Sequence, residues 1–121
     1  MNLRNNLYII KNREESGYRI KFLKDSIIYK SHFPEMPVTP GVCIIQIASE
    51  LLEDKLGNSI ELYNVTNAKF LNVINPDLID EVLYKFNKIT EEENNLIKVS
   101  AEVSSNNKIF AKLSLAYHLN S

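Results

Sequence analysis

Residues 42–56 constrain the fold most strongly, because they read as one α-helix whose apolar side chains cover most of its circumference. The apolar positions are 42, 44, 45, 47, 48, 51, 52 and 56. Gly57 follows them and supplies a natural C-terminal stop. We expect such a helix to be buried nearly all round, so the rest of the chain must surround it.

Strand-like segments make up most of the remaining chain. Apolar, β-branched and aromatic runs separated by turn residues predict strands over 6–11, 18–29, 60–74, 81–90, 96–104 and 109–119. Within 96–103 apolar and polar residues alternate, which is typical of a strand with one face on a helix and the other partly in water. One buried helix among about six antiparallel strands predicts an α+β fold.

Length and charge limit the kind of protein this is. A chain of 121 residues predicts a single domain over 1–121. A formal net charge of -1 argues against nucleic acid as a partner, because neutralising phosphates requires a basic field. No apolar run approaches a membrane span, and the first residues lack the apolar core of a secretion signal. We therefore expect a cytoplasmic protein without membrane contact.

Cysteine, histidine and glycine are too scarce for common cofactor sites. Two histidines and one cysteine cannot form a structural zinc site of the usual composition, and three glycines cannot form a glycine-rich nucleotide loop. We expect neither a metal nor a cofactor. Cys43 cannot form an intrachain disulfide; packing in the core is the expected role, and a nucleophile near a helix N-terminus is the alternative.

A proline-rich segment, residues 32–40, leads into the helix and is called the arm below. Pro34, Pro37 and Pro40 fix their own φ angles and bias the preceding residues toward extended backbone. The arm begins at His32. A histidine side chain titrates near neutrality, and a rigid segment can hold it within reach of the proton it removes, so His32 is a candidate general base.

Two polar residues interrupt the apolar helix. Gln46 and Glu50 are four residues apart, so their side chains share one face, one turn from each other. A buried amide and a buried carboxyl both require hydrogen-bond partners. Both residues are therefore candidates for the functional site.

Three local patterns carry a resemblance to a known family. From His32 to Val42 the chain reads H-F-P-x-x-P-x-x-P-G-V before a mostly apolar helix, which resembles the FabZ and FabA type of 3-hydroxyacyl-[acyl carrier protein] dehydratases. Residues 67–70, N-A-K-F, resemble the strand that follows the helix in that family, and Pro76-Asp77 lies about where the family has a P-G-D turn. The resemblance covers roughly residues 5–119 and implies a hotdog fold, a curved antiparallel sheet wrapped around one long helix.

The resemblance also implies roles for individual residues. Dehydration of a 3-hydroxyacyl thioester requires a base, an acid and an oxyanion stabiliser around one substrate. His32 takes the role of the base, and backbone N–H groups around Gly41 and Val42 take that of the oxyanion stabiliser. The expected substrate contacts are Gly41, Val42, Phe33, Pro40 and Phe70.

This chain departs from the family at the position of the catalytic acid. Fourteen positions after His32, where the family has a catalytic carboxyl, stands Gln46, and Glu50 stands where the FabZ pattern usually has glutamine. An amide cannot protonate a leaving hydroxide, but it can orient the thioester, the hydroxyl or a water, while Glu50 can act through a water or a shifted substrate. Three functions stay open: a dehydratase, a hotdog acyl-thioesterase, and a non-catalytic partner subunit completed by a paralogue.

Partners follow from the same resemblance. It implies an acyl thioester on an acyl carrier protein, in fatty-acid or polyketide-type metabolism, and a dimer in which the arm of one subunit faces the helix of the other. A homodimer, a higher oligomer and a heterodimer with a paralogue all fit. Lys69, Lys85 and Lys88 are expected on a solvated sheet face, and an acidic carrier protein would need some of them.

Overall fold

The computed structural model describes residues 2–31 and 35–120. Its strands are β1 (Tyr8–Arg13), β2 (Gly17–Phe22), β3 (Ile60–Phe70), β4 (Glu81–Glu91), β5 (Leu96–Ser105) and β6 (Lys108–Leu119). Its helices are α1 (Ile27–Ser31), α2 (Gly41–Leu56) and a short 3-10 helix over Glu93–Asn95. Among the residues so described, no helix combines the length and the apolar character needed to cross a membrane.

One sheet holds all six strands, in the order β1-β2-β4-β5-β6-β3, and every neighbouring pair is antiparallel. The register shifts within four of the five pairs, and such bulges bend and twist the strands that carry them. The sheet curves around α2, whose Ile47, Leu51 and Leu52 are fully buried. The predicted α+β class and the hotdog fold are therefore confirmed.

Close packing between two strands explains one glycine. A Cβ on Gly17 would collide with the carbonyl oxygen of Tyr84, across the β2–β4 pair. Only glycine allows the two backbones to approach this closely.

Two predicted strand ends are wrong. The strand expected over 18–29 ends at Phe22, because Ser26 precedes and caps α1. The Ser26 carbonyl oxygen accepts a hydrogen bond from the Tyr29 N–H (3.1 Å), and the Ser26 hydroxyl accepts one from the Ile28 N–H (3.3 Å). Of the apolar residues that suggested a strand, Tyr29 is buried in the core, whereas Ile27 is 73% exposed. The strand expected over 60–74 likewise ends at Phe70, where the chain leaves the sheet.

One side of the molecule leaves apolar surface uncovered. Val42 is 66% exposed, so α2 is not buried all round as expected from the sequence. β3 forms an edge of the sheet, and its Leu62 and Val65 are 41% and 39% exposed although they oppose buried residues of β6. Within the described part of the chain, both the start of α2 and the edge strand thus leave apolar side chains in solvent.

Candidate active site

The arm is anchored to the rest of the fold at its C-terminal end. The Thr39 N–H donates to the carbonyl oxygen of Ile74 (2.9 Å), and the Thr39 hydroxyl is 2.8 Å from the hydroxyl of Tyr29. Pro40 then stands at the N-cap position of α2 with extended backbone. The predicted site residues His32 and Phe33 lie outside the described residues.

The first turn of α2 lies against an aromatic ring. A Cβ on Gly41 would stand 3.0 Å from Cζ of Phe70, so glycine allows this ring to lie over the start of the helix. Gly41 and Phe70 line a cavity of about 530 Å³, which Val38 and Ile44 also border. Within the described part of the chain, the N–H groups of Gly41 and Val42 have no acceptor. The first N–H groups of any α-helix lack acceptors within the helix, so these two are available as donors, and their role as an oxyanion stabiliser stays a prediction.

Gln46 and Glu50 form a hydrogen-bonded pair on the same helix. Nε2 of Gln46 donates to Oε2 of Glu50 over 3.0 Å, and both side chains are half-buried. They line a polar groove of about 560 Å³ together with Asn2, Arg4 and Asp54. Of the predicted site residues that the structure describes, Gly41 and Phe70 line the cavity, Gln46 and Glu50 line the groove, and Pro40 and Val42 line neither.

The N-terminal segment, residues 2–7, supplies two of the four hydrogen bonds that Glu50 accepts from the described residues. Backbone N–H groups of Leu3 (2.7 Å) and Arg4 (2.8 Å) donate to its carboxylate, as does the hydroxyl of Tyr8 (3.0 Å). Burial, and after it the charge of Glu50, raises the pKa of the Tyr8 hydroxyl far above its usual range. Tyr8 therefore remains protonated and donates.

A second carboxylate anchors the same region one turn later. Asp54 accepts two hydrogen bonds from the Arg13 guanidinium (2.9 Å each) and one from the Tyr18 hydroxyl (2.7 Å). Arg4 adds a longer ion pair at 3.4 Å. The hydrogen bonds from Arg13, chiefly, hold the pKa of Asp54 well below its usual range. Asp54 is thus an anion that holds Arg4, Arg13 and Tyr18 together.

Other sequence predictions can be compared with the structure directly. Cys43 is buried, and burial raises the pKa of its thiol, which suits packing rather than nucleophilic attack. Lys69, Lys85 and Lys88 are exposed, as expected of a solvated sheet face.

Sequence reasoning missed the residues of the N-terminal segment and Tyr8. Two of the bonds to Glu50 come from backbone N–H groups, which leave no trace in residue type. One sequence signal indicates that this segment packs on the core: Leu3 and Leu7 are apolar and four residues apart, and the structure buries both.

Residues 9–112 match the family described as ApeI-like, ApeI dehydratase. The chain belongs to this family. The matched region includes the arm, α2 and the N-A-K-F segment, so the resemblance to FabZ-like hotdog dehydratases inferred from the sequence is confirmed.

Relatives of this ApeI-like protein include two proteins named 3-hydroxyacyl-[acyl-carrier-protein] dehydratase FabZ. That of Thermotoga neapolitana is 32% identical, and the match covers 84% of this chain and 78% of the relative. That of Rickettsia africae is 29% identical, and the match covers 69% of this chain but only 61% of the relative.

Solved structures agree on the fold. A chain of the ApeI:P dehydratase heterocomplex of Xenorhabdus doucetiae superposes with a TM-score of 0.67 at 18% identity, covering 92% of the ApeI-like chain and 97% of its own. A thioesterase of Haemophilus influenzae also gives a TM-score of 0.67, at 14% identity, covering 97% of this chain and 81% of its own. At such low identities these likenesses show the shared fold alone.

Proposed function

We propose that this protein removes water from 3-hydroxyacyl thioesters on an acyl carrier protein and gives 2-enoyl thioesters. The observation that carries the proposal is that the arm and α2, with His32, Gly41 and Gln46, lie wholly inside the region that matches a dehydratase family. Both FabZ relatives bear the name of this reaction.

The reaction begins with removal of a weakly acidic proton next to the thioester carbonyl. His32 is the base in this scheme, and the enolate oxygen that forms accepts hydrogen bonds from the Gly41 and Val42 N–H groups. The positive end of the α2 dipole adds to this stabilisation. Phe70, Phe33 and Pro40 contribute apolar contacts that hold the substrate next to these donors.

The second half of the reaction expels hydroxide from C3, and the hydroxide must gain a proton. Gln46 cannot donate that proton, but its amide can hold the 3-hydroxyl in place. We propose that His32, protonated in the first step, returns its proton to the departing hydroxide, so that water leaves and the histidine is regenerated. Direct proton donation by Glu50 stays as an alternative prediction, although four donors already surround its carboxylate.

A partner subunit would complete the site. β3 offers eleven residues of unpaired sheet edge beside the exposed Leu62, Val65 and Val42, and such an edge favours pairing with another chain. We propose a dimer through this side, either with a second copy or with a paralogue. In such a dimer the arm of one subunit would face the helix of the other, as the family resemblance implies.

The dimer is tested by light scattering on purified protein. Val65→Lys should convert dimer to monomer, whereas Ser100→Lys, on the outer sheet face, should not. A wild-type monomer that also co-purifies with no paralogue would rule the dimer out.

The exposed lysines fit an acidic carrier protein in a cytoplasmic setting. Lys88→Glu, on β4 and away from the proposed interface, should lower kcat/KM for a substrate on carrier protein but leave kcat/KM for the same acyl group on free pantetheine unchanged. Equal effects on both substrates would remove Lys88 from carrier recognition.

The reaction class is decided by identifying the product. The protein is incubated with a 3-hydroxyacyl pantetheine thioester, and the products are analysed by mass spectrometry. Loss of one water from the intact thioester supports dehydration. Release of the free 3-hydroxy acid would indicate a thioesterase instead, and an unchanged substrate would indicate a partner subunit.

A further inference from the structure

We propose that Glu50 is a positioning residue: it fixes the orientation of the Gln46 amide, and the N-terminal segment in turn fixes Glu50. The inference rests on the proposed function, because it concerns how Gln46 meets the substrate. It adds residues 2–7 to the apparatus of the site.

The hydrogen bonds to Glu50 use both carboxylate oxygens. Oε1 accepts from the Arg4 N–H (2.8 Å) and the Tyr8 hydroxyl (3.0 Å), and Oε2 accepts from the Leu3 N–H (2.7 Å) and Nε2 of Gln46 (3.0 Å). Two donors on each oxygen hold the carboxylate plane in one orientation. Hydrogen bonds to a charged acceptor are also among the stronger ones in proteins.

The N-terminal segment is packed firmly enough to impose this geometry. Leu3 is 2% exposed and Leu7 is fully buried, and the Leu7 N–H closes a turn onto the carbonyl oxygen of Leu3 (2.7 Å). The Arg4 side chain reaches Asp54 as well. The backbone N–H groups of residues 3 and 4 are thereby aimed at Glu50 by the core itself.

A fixed carboxylate determines which way round the Gln46 amide lies. An ionised carboxylate only accepts hydrogen bonds, so it selects the rotamer with Nε2 toward Glu50 and disfavours the one with the amide oxygen there. The amide oxygen of Gln46 is then turned away from Glu50. It has two lone pairs and can accept a hydrogen bond from the substrate 3-hydroxyl.

This arrangement gives a chemical reason why the amide and the carboxyl occupy each other's usual family positions in this chain. The carboxyl at position 50 binds the N-terminal segment, and the amide at position 46 takes the orientation that the carboxyl dictates. Losing that orientation should lower kcat more than it raises KM, because misplacement of a reacting group is felt most in the transition state.

The test is a double-mutant cycle with a matched control. We expect Glu50→Gln to lower kcat by about tenfold to a hundredfold, with little change in KM. In a Gln46→Ala background Glu50→Gln should cause no further loss, because the residue acts only through Gln46. Glu92→Gln makes the same substitution at the surface ion pair with Lys98 (3.6 Å) and should leave kcat unchanged, because Glu92 takes no part in the site. Equal losses in both backgrounds, or an equal loss in Glu92→Gln, would overturn the proposal.

A second readout does not depend on turnover or on any variant folding well. Gln46 is the sole glutamine of the chain, so glutamine-selective ¹⁵N labelling gives one side-chain amide signal. In the wild type its protons should be shifted downfield and protected from exchange. An unprotected, solvent-like signal in the wild type would overturn the proposal even if the protein dehydrates its substrate. A protected signal without dehydration would leave the positioning intact and refute the proposed function alone.

Discussion

Gln46→Glu places a carboxylate at the family's acid position and thus tests the Gln46–Glu50 pair directly. In the wild type the two side chains meet across a 3.0 Å hydrogen bond in which only Gln46 can donate. The variant removes that donor and sets two carboxylates against each other. At neutral pH the change should destabilise the protein, whatever it does to catalysis.

The size of the effect follows from two terms. Two like charges about 4 Å apart repel by about 4 kcal/mol at an effective dielectric constant near 20, and partial exposure reduces this. A lost hydrogen bond to a charged group costs about 1.5–3 kcal/mol. Together they predict a loss of about 4 kcal/mol, against a total stability of about 5–15 kcal/mol for a domain. The variant should fold, with a narrow margin.

The loss should depend on pH with a definite sign. Two adjacent carboxyls in the folded variant share a proton more readily than separated carboxyls in the unfolded chain. The folded state therefore binds more protons than the unfolded state near pH 5, so the stability of the variant rises as the pH falls from 7.5 to 5.

Urea unfolding of wild type and Gln46→Glu at pH 7.5 and pH 5 measures this difference. The double variant Gln46→Glu/Glu50→Gln is the control, because it carries one carboxyl and one amide again. The ratio of the dehydration rates of Gln46→Glu and wild type should rise from pH 7.5 to pH 5, because a shared proton becomes available for the leaving hydroxide in the variant, whereas protonation of a histidine base slows both proteins alike. An equal loss of stability at both pH values, or no loss at pH 7.5, would refute the reasoning.

Two further predictions concern the anchors of the site. Asp54→Asn should cost about 1–2 kcal/mol at pH 7, mainly through the Tyr18 hydrogen bond, since exposed ion pairs contribute little. The pKa of Asp54 is depressed in the folded state, so its contribution to stability is fully present above the ordinary pKa of 3.8 and fades as the pH falls below it. The urea unfolding midpoints of variant and wild type should therefore converge in acid. Gly41→Ala brings a methyl group to 3.0 Å from the Phe70 ring. Because the half-exposed ring can shift, the melting temperature should hardly change. KM should rise, because the cavity that Gly41 and Phe70 line becomes narrower. An unchanged KM would show that this cavity does not bind the acyl substrate.

The sequence predicts the central helix well, because its apolar positions follow the helical period and Gly57 ends it in a left-handed conformation. It fails where apolar residues serve another element. Ile27, Ile28 and Tyr29 read as the end of a strand, yet Ser26 starts a short helix there. Local apolar content alone does not distinguish the two.

For the site, the sequence identifies the helix residues but not their partners. The spacing of Gln46 and Glu50 predicts a shared face, and their hydrogen bond confirms it. The bonds from Leu3 and Arg4 join residues 47 and 46 positions apart through backbone N–H groups, so no side-chain pattern announces them. The sequence makes Glu50 a candidate catalytic carboxyl, with a structural hydrogen-bonding role as the alternative, and the catalytic role stays a prediction beside the positioning role proposed above.

The most direct test of the account is the initial rate at which wild type and His32→Ala dehydrate a 3-hydroxyacyl thioester. His118→Ala, which removes the other histidine of the chain, is the matched control. We predict turnover by the wild type and His118→Ala, and a loss of at least about a hundredfold in His32→Ala with an unchanged circular dichroism spectrum. Equal dehydration rates for wild type and His32→Ala would contradict the account.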